Sequence, residues 1–168
     1  MKKAKHFIFM EYFIIDQGEM WSEIEAILLQ KASEGVEVRL MYDGMGSQSL
    51  LPYKYDKKLR DKGIKCCVFN PFRPMLSTIQ NNRDHRKILV IDGHTAFTGG
   101  VNLADEYINK YERFGHWKDT AVMIKGEAVA GFTIMFLQNW NIYEYGKEDK
   151  FESYIKTDFP EITEKGLC

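Results

Sequence analysis

Cysteine is scarce in this chain of 168 residues: Cys66, Cys67 and Cys168 are all there is. Two adjacent thiols and one terminal thiol match neither a disulfide framework nor zinc-ligand spacing, so a stapled secreted scaffold is excluded and a reducing, cytosol-facing setting fits best. Long apolar runs are missing too. The longest, around Phe7 to Ile15, is interrupted by Glu11 and falls well short of the roughly 20 residues that cross a bilayer, and no signal-peptide pattern is present. Neither sign of charge is in surplus: 23 Lys and Arg stand against 24 Asp and Glu, for a net charge of −1. That balance gives no global pull toward nucleic acid or an anionic surface. Nor do His, Asp and Glu cluster at metal-ligand spacing, and neither metal nor cofactor is expected.

What is present can build a core. With 45% hydrophobic and 14% aromatic residues, the chain is long enough for one domain. Strand and helix signals alternate, which predicts an α/β fold. Lys5 to Ile15 reads as an apolar strand, and Gly18 to Ser33 has helical spacing at Met20, Ile24, Ile27 and Leu28, ended by Gly35. Val36 to Tyr42 follows as a strand, Asp43 to Ser47 as a loop, Lys54 to Lys62 as a short charged helix and Ile64 to Phe69 as the next strand. Asn70 to Asn82 then breaks the rhythm with Pro71, Phe72, Pro74, Met75, Leu76 and Ile79. Such a segment is either a loop folded over the core or a functional lid, with Phe72, Met75 and Leu76 as apolar anchors and Arg73 beside them. Trp117 to Lys125 reads as a strand. Glu127 to Tyr143 reads as a helix whose Phe132, Met135, Phe136, Asn139 and Trp140 are assigned to core packing. The domain is placed at residues 1–146, and the charged, turn-rich remainder, 147–168, is read as a linker or tail.

The most informative stretch is residues 85–102. It combines H-x-K-x-x-x-x-D (His85, Lys87, Asp92) with G-G-x-N six residues later (Gly99, Gly100, Asn102). At roughly 5% usage per residue type, six such matches arise by chance on the order of once in a million chains. Arg86 to Ile91 reads as a buried strand on its β-branched apolar run Ile88 to Ile91, and alternation puts His85, Lys87 and Leu89 on one face and Arg86, Ile88 and Val90 on the other. An imidazole is a nucleophile or general acid near neutral pH, and a lysine two residues on supplies positive charge for phosphate oxygens. Asp92-Gly93 reads as a two-residue hairpin turn that returns Gly99, Gly100 and Asn102 beside His85. There two glycines let backbone N–H groups approach a phosphate, and the Asn102 amide donates to another oxygen. Asp92 completes the catalytic motif, but its place in the turn suggests that it fixes the hairpin instead of touching substrate.

These residues resemble the HKD motif of the phospholipase D superfamily, and the flanks resemble its bacterial cardiolipin synthases. The flanking matches are Glu11-Tyr12-Phe13-Ile14, Gly35 through Asp43, Asn82 through Lys87, Gly100 through Tyr107 and Trp117-Lys118-Asp119-Thr120. The similarity runs from about Ala4 to about Tyr145. It implies a phospholipase D-like layered α/β/α sandwich with a mixed, mostly parallel central sheet. It also implies a phosphatidyltransferase that condenses two phosphatidylglycerols to cardiolipin and glycerol through a phosphatidyl-histidine on His85. Asp119 matches the family's histidine-orienting carboxylate; read without the resemblance, it is a surface aspartate beside Lys118. Asp105 and Glu106 match family wording and are read as helix caps near the site.

The family carries two HKD motifs that pack into one site. Here a second full motif is missing: Ile8 and Ala96 follow His6 and His94 by two residues, and His116-x-Lys118 meets Met123 where an aspartate belongs. Phe159-Pro160-Glu161-Ile162 resembles the segment that joins the halves, so the chain reads as an N-terminal half. The expected partners are a second HKD half or a homodimer mate, phosphatidylglycerol and a membrane surface, with no nucleic acid. The parent protein is expected at the cell membrane with this domain on the cytoplasmic side, and the chain itself soluble. Two other readings stay open: a homodimeric single-motif phosphodiesterase or nuclease, and a non-catalytic phosphate-binding half.

Overall fold

The computed structural model describes residues 1–71, 82–143 and 149–155. The expected apolar anchors Phe72, Met75 and Leu76, with Arg73, lie outside these residues, as do Cys168 and most of the predicted tail. In chain order the elements are β1 (Phe7–Tyr12), α1 (Glu19–Ser33), β2 (Glu37–Asp43), α2 (Gly44–Ser47), α3 (Tyr55–Asp61), β3 (Lys65–Phe69), β4 (Ile88–Ile91), β5 (Thr95–Gly99), β6 (Ala121–Lys125) and α4 (Val129–Tyr143). Single 3-10 turns occur at Asp105–Ile108 and Phe151–Ser153.

Alternate residues of β1 enter two different cores. Ile8 and Met10 join Trp21 and Leu28 of α1 and Tyr55 and Leu59 of α3, whereas Phe7 and Phe9 join Val129, Phe136 and Trp140 of α4. A strand apolar on both faces needs a helical layer on each side, which is the expected α/β/α sandwich. β4 follows the same rule: Leu89 and Ile91 face the α1 side, Ile88 and Val90 the α4 side.

The strand order is β3-β2-β1-β4-β5-β6. β1 pairs parallel with β2 and β2 with β3, while β1–β4, β4–β5 and β5–β6 are antiparallel. The sheet is therefore mixed, as expected, but it is not mostly parallel by neighbouring pairs. The β4–β5 connection is a hairpin too short for the crossover that a parallel pair needs.

Some local expectations shift. Asp43 opens the short helix α2, where a loop was expected, because its carboxylate caps the Met45 and Gly46 amides at 2.9 and 2.8 Å. The last predicted strand starts at Ala121, not Trp117. In α4, Phe136 and Trp140 are buried, but Met135 is exposed and Asn139 faces polar partners. Part of the predicted tail is docked: Phe151 and Tyr154 pack on the α4-side core, and Asp149 binds Arg39. Arg39 is only 2% exposed, and the rings of Phe9, Trp140 and Tyr154 surround its guanidinium at 5.0, 5.3 and 5.1 Å.

Candidate active site

The pairing register gathers the motif at one end of the sheet. Glu11 faces Ile88, Ile88 faces Thr98, and Gly99 faces Ala121. The segments after β1, before β4, after β5 and before β6 therefore meet there. This is the carboxyl end of parallel β1 and β2, where the order turns from β1 to β4, the place at which open α/β sheets hold ligands.

His85 is exposed, and its ring stacks on Phe13 with centroids 3.8 Å apart and 20° between planes. Phe13 is held in turn by neighbouring backbone. Its carbonyl accepts from Ser47 Oγ at 3.3 Å, Ile15 N donates to the same hydroxyl at 3.0 Å, and Ile14 N donates to Asn102 Oδ1 at 3.1 Å. Lys87 is half-buried; its Nζ donates to the His85 carbonyl at 2.7 Å and lies 5.6 Å from the Phe13 ring centre. Burial lowers the Lys87 ammonium pKa, and the charges of Asp84 and Asp119 oppose that shift.

Asp119 accepts from Trp117 Nε1 at 3.0 Å, Thr120 N at 2.7 Å and Gly100 N at 3.2 Å. The Trp117 bond in particular holds its carboxyl below the usual range, with Lys87 adding to the effect. The resemblance assigns Asp119 to the His85 ring, whereas the structure gives that ring a different neighbour, Phe13. Among the described residues no carboxylate is hydrogen-bonded to it. The glycines also serve a nearer need than the one expected. A Cβ on Gly100 would lie 2.5 Å from the Asp119 carboxylate, and one on Gly99 2.8 Å from the Thr120 carbonyl. They admit Asp119 and β6.

Asn102 is buried. Besides holding Ile14 it donates from Nδ2 to Tyr107 Oη at 2.9 Å, and the Tyr107 ring meets Trp117 edge-on at 4.7 Å. Nδ2 carries a second hydrogen beyond the one given to Tyr107.

Asp92 does not join this group. It lies at the opposite end of β4, where its carboxylate accepts from the N–H groups of Lys5, His6 and Phe7 at 2.8, 2.7 and 2.8 Å. Grouping it with the catalytic residues is thereby corrected; it anchors the hairpin to β1. The turn itself runs one residue longer than expected. Ile91 pairs with Thr95, and Asp92 and Gly93 both take positive φ, 52° and 68°. Asp105 is a cap, though of a distant helix: it accepts from Glu19 N and Met20 N, both at 2.9 Å, where Gly18 offers α1 no side chain. Glu106 binds Tyr111 and Arg113.

Behind His85 and Lys87 the alternate residues Asp84 and Arg86 turn inward. Arg86 reaches Asp84 at 2.9 Å and Glu11 at 3.0 Å, and Asn139 Nδ2 donates to Glu11 at 2.7 Å and to Asp84 at 3.1 Å. Sequence reasoning did not assign Phe13, Glu11, Asp84, Arg86 or Asn139 to the site. One signal was available, a carboxylate inside the apolar run of β1. Among the described residues no group of three or more His, Cys, Asp or Glu converges as a metal site, and no helix is long and apolar enough to cross a membrane.

Residues 1–140 match the family described as "Cardiolipin synthase, PLD-like domain". The chain is 42% identical over 156 residues to a cardiolipin synthase of Alkalihalophilus pseudofirmus, covering 92% of this chain and 31% of that protein. It is 58% identical over 164 residues to an uncharacterized protein of Streptococcus mutans, covering 98% and 35%. The chain thus spans about a third of the length of these relatives. Among solved structures it is similar to Nuc, a phospholipase D family member from Salmonella typhimurium. The TM-score is 0.60 at 20% identity, with 85% of this chain and 83% of that one covered. NucT from Helicobacter pylori gives 0.59 at 13% identity over 83% and 81%. Both share the fold.

Proposed function

The chain belongs to the phospholipase D-like domain family of cardiolipin synthases, and on that premise we propose that it is the His85-bearing half of a phosphatidyltransferase making cardiolipin from two phosphatidylglycerols. A ring nitrogen of His85 attacks phosphorus, the bond from phosphorus to the glycerol headgroup oxygen breaks, and glycerol leaves with a proton from the second motif's histidine. The headgroup hydroxyl of a second phosphatidylglycerol then attacks phosphorus of the phosphatidyl-His85, gives its proton to the second motif's histidine and breaks the P–N bond. Cardiolipin leaves and His85 is restored.

One observation carries this reading: exposed His85 and cationic Lys87 stand together at the sheet end, next to the Gly100 and Asn102 segment, inside a cardiolipin synthase family match. Lys87 and the second Nδ2 hydrogen of Asn102 hold the non-bridging oxygens. Asp119 serves by fixing Gly100 and facing Lys87. The second motif comes from the remainder of a longer parent chain, and phosphatidylglycerol brings the assembled enzyme to a membrane surface.

The test is cardiolipin formation on phosphatidylglycerol vesicles by the parent-length protein. His85→Asn is expected to lower turnover by on the order of a thousandfold or more, and turnover untouched by that substitution would refute the proposal. A single-motif homodimer is the second reading, since the Nuc chain is covered over 83% of its length by this one domain. Light scattering on the 168-residue chain separates the two: a symmetric dimer with His85-dependent phosphodiesterase activity favours the homodimer, and an inactive monomer favours the half.

A further inference from the structure

We propose that Glu11 and Asp84 share one proton and, in that state, act as positioning residues that hold segment 84–87, and with it His85 and Lys87, against the sheet. The consequence for catalysis rests on the reading of His85 and Lys87 given above; the acid pair itself rests on burial and on the donors the two acids share.

Both carboxyl groups are buried, Glu11 at 1% and Asp84 at 6% exposure. One guanidinium, Arg86, and one amide, Asn139, serve the two of them together. Glu11 Oε1 takes both of those donors, while its Oε2, equally buried, has no hydrogen-bond partner among the described residues. An ionised Oε2 would be an orphaned acceptor, which native interiors avoid. A proton placed there turns the acceptor into a donor, and Asp84, held to Glu11 through the shared Arg86 and Asn139, is the neighbouring carboxylate to accept. The count of charge agrees. With one proton the cluster holds one negative charge against one positive; without it, two carboxylates face a single guanidinium in a desolvated site. Burial first, and then Asp84, push the Glu11 carboxyl up to about 9, while hydrogen bonds from Glu11 and Arg86 hold Asp84 below its usual range despite burial.

Among the described residues Arg86 is the one cation paired with both acids, while the Lys87 ammonium on the far face of the segment also feels the Asp84 charge. From the end of β2 comes Asp43, which accepts from Asp84 N at 3.1 Å and pairs with Arg83 at 3.5 Å. α4 contributes the neutral Asn139, and the opposite face of the segment carries His85 and Lys87. Within the segment, Asp84 also accepts from Arg86 N at 3.1 Å, closing a tight turn of backbone around the acid pair. When the shared proton passes to solvent base, the Glu11–Asp84 bond is lost, like charges repel, and the segment loosens under the His85–Phe13 stack.

Infrared titration of the 168-residue chain tests the pair without any assay of catalysis. Ordinary Asp and Glu side chains are ionised at neutral pH, so the expected signal is a protonated-carboxyl C=O band that persists at neutrality, disappears with a midpoint near 9 and is missing from both Glu11→Gln and Asp84→Asn. No such band in the wild-type chain, or a band that survives both substitutions, would overturn the shared proton. The positioning role is read by hydrogen exchange at the Asp84 and Arg86 amides, corrected for intrinsic rates. Wild-type protection is expected to fall by about tenfold through the same transition, while Glu11→Gln stays flat; wild-type protection that does not change overturns the role. Neither readout depends on whether His85 is the nucleophile, so failure of that reading remains distinguishable.

Discussion

His85 takes its ring plane from an aromatic neighbour instead of a carboxylate. Stacking at 3.8 Å on Phe13 restricts rotation of the imidazole, and the backbone around Phe13 is pinned by Ser47 and Asn102. Removing the ring in Phe13→Ala forfeits an aromatic contact worth about 0.5–1.5 kcal/mol. It is expected to lower kcat of the assembled enzyme by roughly twofold to tenfold with KM little changed, because on the proposed mechanism the stack orients His85 and does not bind substrate. An unchanged kcat contradicts that role, and recovery in Phe13→Tyr supports it. At this scale the H-x-K spacing made His85 and Lys87 legible as neighbours, although both precede β4 and do not lie on the strand that was expected to carry them. Phe13 was not legible as a partner because only the β1–β4 pairing brings it to His85. The structural partners of Gly100 and Asn102 were not legible for the same reason: Asp119 and Tyr107 belong to later segments.

The β4–β5 hairpin is the element that presents the site, and Asp92 fastens it. Burial by itself would raise the Asp92 carboxyl, but three backbone N–H bonds hold it below its ordinary value. A depressed folded pKa means that this contribution to stability is present above the unfolded value, about 3.9, and is lost as pH falls through the folded value. Asp92→Asn is expected to lower stability at neutral pH by about 1–3 kcal/mol, read from urea midpoints. The gap from wild type should narrow as the medium is made acid below the carboxylate range; a gap that stays constant there contradicts the anchoring role. The hairpin was legible from Asp-Gly between two β-runs. Its extra residue was not, because the β4–β5 register sets the loop length. The short helix at Gly44–Ser47 was hidden behind two glycines that read as loop, although Asp43 had the chemistry of a cap.

At the scale of the molecule, the alternation of strand and helix signals foretold the α/β fold and the resemblance its layered sandwich, and β1 and β4 do feed cores on both faces. The balance of strand directions was less legible. Parallel and antiparallel strands buried on both faces carry the same kind of sequence, and only the short connection between β4 and β5 tells them apart. Arg39 was overlooked for a related reason, since its carboxylate partner Asp149 and its ring partner Tyr154 come from a stretch that reads as tail. The catalytic reading depends on this whole arrangement, and it is most directly tested by mapping the covalent intermediate. Parent-length protein is acid-quenched during turnover of phosphatidylglycerol vesicles, and its histidine peptides are analysed by mass spectrometry. A phosphatidyl adduct on His85 that vanishes in His85→Asn is the expected result, and an adduct on another histidine with His85 bare would contradict it.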